Sequence, residues 1–262
     1  ARIQALEKVD GLLNVAQAKL AEGEPDAAFQ ASLTVKPFFE TEWARLSIDK
    51  VFGASARGVR DRAERLFVAV VEHHRTAAAA GRKRADAALA AKDYSAANQE
   101  SGLAIKVLGS AQRHLTAYFE TFPAQVIAAL KQTQRDVAAD IAACELLQRR
   151  AIGQTILGKA VERLPDARKT IAAARMDTAL LLKAEQLFAE GLKTLEEAKK
   201  FPGTDADAQI KRAREELAGT KSLMAPFEAE FTKVLDDWTI EPELWKAYKD
   251  DKDMTWLQVK GE

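Results

Sequence analysis

Apolar residues recur along this chain at three- and four-residue steps, and those steps predict helices throughout. A first helix spans about Ile3 to Glu22. Gly23-Glu24-Pro25 closes it and opens a second, from about Asp26 to Lys50, because proline suits a first helical turn. Gly53 and Gly58 bracket Ala54-Ser55-Ala56-Arg57, which reads as a turn. A third helix begins near Val59, carries Ala63, Phe67, Val70 and His74 on one face, and continues past Gly81 to Ala91. After a turn at Lys92-Asp93-Tyr94-Ser95, a fourth is striped by Leu108, Ala111, Leu115, Tyr118 and Phe122. Thr121-Phe122-Pro123 ends it and opens a fifth, with Leu130, Val137 and Cys144 spaced by sevens, to about Arg150.

Gly153 and Gly158 then interrupt the pattern. Leu164-Pro165-Asp166 starts a long helix to about Lys200, striped by Ile171, Leu181, Phe188 and Leu195. Phe201-Pro202-Gly203-Thr204-Asp205 is the strongest turn signal in the chain. Beyond it, Ile210, Ala213, Leu217, Thr220, Met224, Phe227, Phe231 and Val234 form a heptad-like seam. Pro226 lies inside this seam without shifting its register, which predicts one kinked, continuous helix. Val, Ile, Thr and Tyr never cluster in alternating runs, so no strand is expected. The expected fold is therefore all-α: an antiparallel helical bundle or short α-solenoid of six to eight helices.

The chain also repeats itself. At an offset of 69, residues 14–35 align with 83–104, with Ala16, Ala18, Leu20, Ala21, Ala27, Ala28, Gln30 and Ser32 each identical to its counterpart. The second copy reads Ala88-Leu89-Ala90-Ala91-Lys92-Asp93-Tyr94-Ser95-Ala96-Ala97. With an acidic-aromatic pair at the turn, Ala97 three residues after Tyr94 and Ala104 seven later, it resembles the middle of a tetratricopeptide repeat. The early Trp and Leu-Gly of that family and its closing proline are missing, and the helices are longer. The resemblance covers about twenty residues per copy. It implies a helical hairpin with small residues at the crossing and a lineage of interaction proteins, and it carries no functional residue over. The expected organisation is a repeat-derived domain over residues 1–150 (copies at about 1–69 and 70–150), a long helical hairpin packed on it over 151–235, and a Trp-rich tail over 236–262.

Composition narrows the function classes. The 262 residues carry 39 Lys+Arg against 39 Asp+Glu, so the basic excess that drives phosphate binding is missing and no nucleic-acid partner is expected. The longest dense apolar run, Leu66 to Val71, is too short to span a bilayer. One cysteine, Cys144, forms no internal disulfide. The residues leave the compartment open. The start at Ala1 and the single cysteine lean towards an exported bacterial protein.

Candidate chemistry is sparse. Glu72-His73-His74 places two adjacent imidazoles about 100° apart on a helix, whereas a helical metal pair needs i and i+4. His74 is read as the edge of the stripe, His73 as solvated and His114 as a boundary residue. Cys144, in its stripe, reads as a small buried hydrophobe. Asp236-Asp237 and Asp250-Asp251-Lys252-Asp253 lack the spacing of aspartate or calcium motifs and read as solvated acid. No Lys-Ser or Lys-Thr follows the Gly153–Gly158 segment, so it is no phosphate loop. No catalytic, cofactor or metal site is expected.

Three of the four tryptophans, Trp238, Trp245 and Trp256, fall in the last 25 residues, with Tyr248 among them. Either this tail plugs the bundle end, or its aromatics dock into a partner's pocket. The candidate partner-binding residues are therefore Trp238, Trp245, Tyr248 and Trp256. The expected function is a non-catalytic scaffold or adaptor for protein partners, self-association included. The alternative is a module binding an apolar small molecule, with Phe67, Leu115 and Phe119 lining its pocket.

Overall fold

Helix propensity sets the elements of this chain, and a few polar caps and prolines set where they break. The computed structural model describes residues 2–174 and 177–237. The protein is all-α, with no strand among the described residues. It divides into two compact units. Among the described residues, the first holds 2–155 and Phe201–Thr204, and the second holds 156–174, 177–200 and 205–237. No helix among the described residues is long and apolar enough to cross a membrane.

In the first unit, α1 (Arg2–Ala21) turns into α2 (Pro25–Leu33), and α5 (Gly53–Ala90) turns into α6 (Tyr94–Thr121). The two turns close alike. Glu24 N–H donates to Lys19 O at 3.0 Å and Gly23 N–H to Leu20 O at 3.0 Å. Sixty-nine residues on, Asp93 N–H donates to Ala88 O at 2.9 Å and Lys92 N–H to Leu89 O at 3.1 Å. This is the Schellman arrangement, which needs a left-handed residue after the helix. Gly23 supplies it at φ 79°, and Lys92 adopts it at φ 60° despite its side chain. Asp93 then caps α6 by accepting from Ala96 N–H at 3.0 Å.

Small residues let α5 and α6 approach closely. Ala78, Gly81 and Ala85 on one helix and Ala97, Ser101 and Ala104 on the other are all buried. A Cβ added at Gly81 would lie 3.4 Å from that of Ala104. Further along the same hairpin, large side chains fill the space. Phe67 stacks on Tyr118 (centroids 4.2 Å, 20°) and packs against Phe122 (4.6 Å). Ser32 donates to Phe29 O, so the Tyr118 hydroxyl 2.7 Å away donates to Ser32. Burial holds this phenol above its usual pKa. The stripe positions Phe67, Val70, His74, Leu108, Ala111, Leu115, Tyr118, Phe122, Leu130, Val137 and Cys144 are all buried.

Several expected boundaries move. The helix over 26–50 is instead α2, α3 (Lys36–Thr41) and α4 (Trp43–Ser47). Pro37 has no N–H to continue the ladder, and the i→i−3 bonds of Thr34 and Val35 tighten the chain before it. The expected turn at Gly53–Gly58 lies inside α5, and the break falls at Ile48–Phe52. There the Asp49 carboxylate accepts from Val51 N–H (2.8 Å) and Phe52 N–H (3.1 Å). The helix expected to open at Pro123 begins at Leu130 as α7 (Leu130–Ala174), after a segment that buries Val126 and Ile127.

α7 also runs through Gly153, Gly158 and Pro165, where an interruption and a new start were expected. The long helix over 165–200 is broken instead near Asp177. Its carboxylate caps α8 (Thr178–Ala198) by accepting from Ala179 and Leu180 N–H. α9 (Asp207–Asp237) is continuous through Pro226, as its seam implied. The second unit packs Leu164 and Ala167 of α7, Phe188 and Leu195 of α8, and Ile210 and Ala213 of α9 into one core.

Candidate functional site

Three helices of the first unit bring together Asp26, His74 and His114. Among the described residues they form a group of possible metal ligands whose donor atoms all lie within 4.8 Å of one another. Each reaches the site for a local reason. The Schellman turn after α1 aims the start of α2, with Pro25 in its first turn and Asp26 next to it. His74 continues the α5 face that runs through Phe67 and Val70. His114 lies one turn before Tyr118 on α6, and Phe29 of α2 holds it by stacking at 3.9 Å and 11°. The same Phe29 meets Tyr118 edge-on at 5.2 Å.

The geometry is close. His114 Nε2 lies 3.1 Å from Asp26 Oδ1, and His74 Nε2 lies 3.8 Å from the same oxygen. The two imidazole centroids are 5.0 Å apart. His74 and His114 are only 6% and 7% exposed, whereas Asp26 stands at the surface with its side chain 76% exposed. His74 Nε2 and His114 Nδ1 are fully buried with no hydrogen-bond partner. Orphaned buried nitrogens of this kind are rare and costly.

Electrostatics follow from this packing. Burial, with the other ring and Arg113 adding positive potential, lowers His114 to a pKa of about 4 against the pull of Asp26. Burial also lowers His74, with Asp26 opposing and His73 and Arg113 assisting. Both rings are therefore neutral at pH 7. For His114 the folded value lies below the unfolded one of 6.5, so the unfolded chain takes up its proton first as the pH falls. The resulting stability is fully present above pH 6.5 and is lost as the pH falls towards 4. We expect the chain to lose about 3 kcal/mol from this group by pH 4. Urea titrations at intervening pH values check this, with a visibly smaller loss in His114→Gln.

The other sequence candidates fall elsewhere. His73 is exposed, as its helical angle implied. Cys144 is buried beside Ala78, Ala104 and Leu108, and burial raises its thiol pKa. Trp238, Trp245, Tyr248 and Trp256 lie outside the described residues, as do Asp250 to Asp253. Of the side chains suggested for an apolar pocket, Phe67 and Leu115 are buried in the core and Phe119 packs at its edge. In the second unit, a cleft between α8 and α9 is lined by Glu196, Lys199, Asp207 and Arg214. Four of its charges pair with one another, Glu196 with Arg214 at 2.7 Å and Lys199 with Asp207.

Sequence reasoning missed the triad because it sought both histidines on one helix. The available signal was the hairpin register. The register that sets Gly81 against Ala104 and Phe67 against Tyr118 also sets His74 beside His114. No family model, curated protein or solved structure matches the chain.

Proposed function

We propose that the chain is a repeat-derived, non-catalytic scaffold or adaptor that holds a protein partner. The observation that carries this reading is an apolar tip presented in a fixed shape. Ile48 is 84% exposed and Val51 is 76% exposed, both between α4 and α5. Asp49 lies between them, accepts the backbone N–H groups of Val51 and Phe52, and pairs with Arg2 of α1 at 2.8 Å. Gly53 N–H closes the segment on Asp49 O at 2.9 Å, and Arg57 reaches Ser47 O at 2.8 Å. A solvated apolar pair on an ordered loop is pre-organised for a contact, so little ordering entropy opposes association.

The matching turns 69 residues apart support the repeat origin. The balance of charge favours a protein partner over nucleic acid. The alternative, an apolar ligand in the core, is disfavoured by Phe67, whose ring is occupied by Tyr118 and Phe122.

A photo-reactive residue placed at position 48 or 51, in cells that make the protein, tests the reading. The expected result is one reproducible cross-linked protein, or a cross-linked dimer, that disappears when Asp49→Ala loosens the loop. Absence of any adduct from both positions would overturn it. A probe at Trp245 tests separately whether the tail shares the contact.

A further inference from the structure

We infer that Asp26, His74 and His114 form a binding site for one divalent transition-metal ion of the zinc type. Two imidazoles and one carboxylate are the donor set that such ions prefer, whereas calcium and magnesium take oxygen alone. The three donors come from α2, α5 and α6, so the site joins the two helical hairpins of the first unit. Metal–ligand bonds of about 2.0–2.2 Å place tetrahedral donors roughly 3.3 Å apart. The observed separations of 3.1 Å and 3.8 Å from Asp26 Oδ1 bracket that value. All three donors lie within 4.8 Å of one another, so one ion is held once the two imidazoles close together slightly and the exposed Asp26 side chain follows.

A second observation points the same way. His74 Nε2 is buried, has no partner, and faces Asp26 Oδ1. A structural histidine in a core is normally satisfied by a hydrogen bond. A metal ion gives this nitrogen's lone pair a use. Without metal, His114 Nε2 faces Asp26 Oδ1 and the His74 nitrogen is left over.

Three protein ligands leave a position open on a four-coordinate ion. Asp26 approaches from the surface, so water or a donor from a partner can complete the shell there. His114 Nδ1 lacks the outer hydrogen-bond partner that ligating imidazoles usually have. Binding is therefore expected to be weaker than at a closed structural zinc site, and exchangeable.

The test uses the full chain, stripped with a chelator and titrated with zinc chloride by calorimetry. One equivalent should bind and raise the unfolding temperature. Asp26→Asn and His114→Gln should each weaken binding by more than about 10-fold, since each removes a direct ligand. His73→Ala should leave binding unchanged. Asp26 is exposed, so Asp26→Asn is expected to fold even if a buried histidine variant does not. Cobalt(II) adds an independent readout: the strong visible bands of a four-coordinate ion should appear in the parent and vanish in Asp26→Asn. Failure to bind zinc would overturn the inference. So would zinc binding that survives both Asp26→Asn and His114→Gln, which would place the ion elsewhere.

Discussion

Replacing Phe67 by alanine lowers the unfolding free energy of the first unit by about 3–5 kcal/mol. The ring is fully buried and lies between two others, with Tyr118 stacked on it and Phe122 tilted against it. Truncation removes the transfer energy of the side chain and leaves a cavity that neither neighbour can fill. Tyr118 is tied to Ser32 by its hydroxyl, so moving it would break a buried hydrogen bond. The loss is a large share of the 5–15 kcal/mol that holds a typical domain together. A urea transition followed by Trp43 fluorescence, with the other three tryptophans changed to phenylalanine, reads this unit directly. Phe67→Leu should cost much less. A loss below about 1 kcal/mol for Phe67→Ala would contradict the packing described.

Gly153→Ala and Gly58→Ala should move stability in opposite directions, although both lie inside helices. A Cβ at Gly153 would collide with Thr204 Oγ1 and would lie 2.5 Å from Phe201 Cβ, which the backbone holds in place. The turn at Phe201–Thr204 rests on this glycine, and Gln154 reaches Gly203 O at 3.1 Å. The turn must shift, and overpacking of that kind costs about 1–3 kcal/mol, more than the helix propensity that alanine gains. At Gly58 nothing lies within 4 Å of the added Cβ. There the same change should stabilise by about 0.5–1 kcal/mol. Urea midpoints read the sign. Trypsin cleavage after Lys199 and Lys200 should accelerate only in Gly153→Ala, because only that variant lifts the turn. Equal midpoints and unchanged cleavage would contradict the contact.

The contrast between these glycines shows what the residue pattern could and could not reveal. Stripes such as Leu108, Ala111, Leu115 and Tyr118 identified the buried face because burial follows helical period. Gly153 looked like a helix end because its reason is tertiary: it makes room for a turn 48 residues later. Pro165 looked like a helix start, yet the core contacts of Leu164 and Ala167 hold α7 through it. The break at Asp177 depended on a capping carboxylate within an apolar stretch, a local signal easily outweighed by the stripe around it.

The candidate site was hidden for a different reason. His74 was placed correctly on its stripe, but its partners lie on other helices, 40 and 48 residues away in sequence. Only the register of the α5–α6 hairpin and the entry of α2 put them together. The Lys92-Asp93 turn is legible in the sequence, and its register carried back to His74 points to the stretch around His114.

That convergence is the claim on which the candidate site depends, and nuclear Overhauser contacts among the ring protons of labelled histidines test it most directly. The chain has three histidines, so assignment by single substitution is tractable. The account predicts contacts between the His74 and His114 rings, whose centroids are 5.0 Å apart, and from His114 to the ring of Phe29 at 3.9 Å. A spectrum in which His114 touches neither His74 nor Phe29 would contradict the hairpin register and the site built on it.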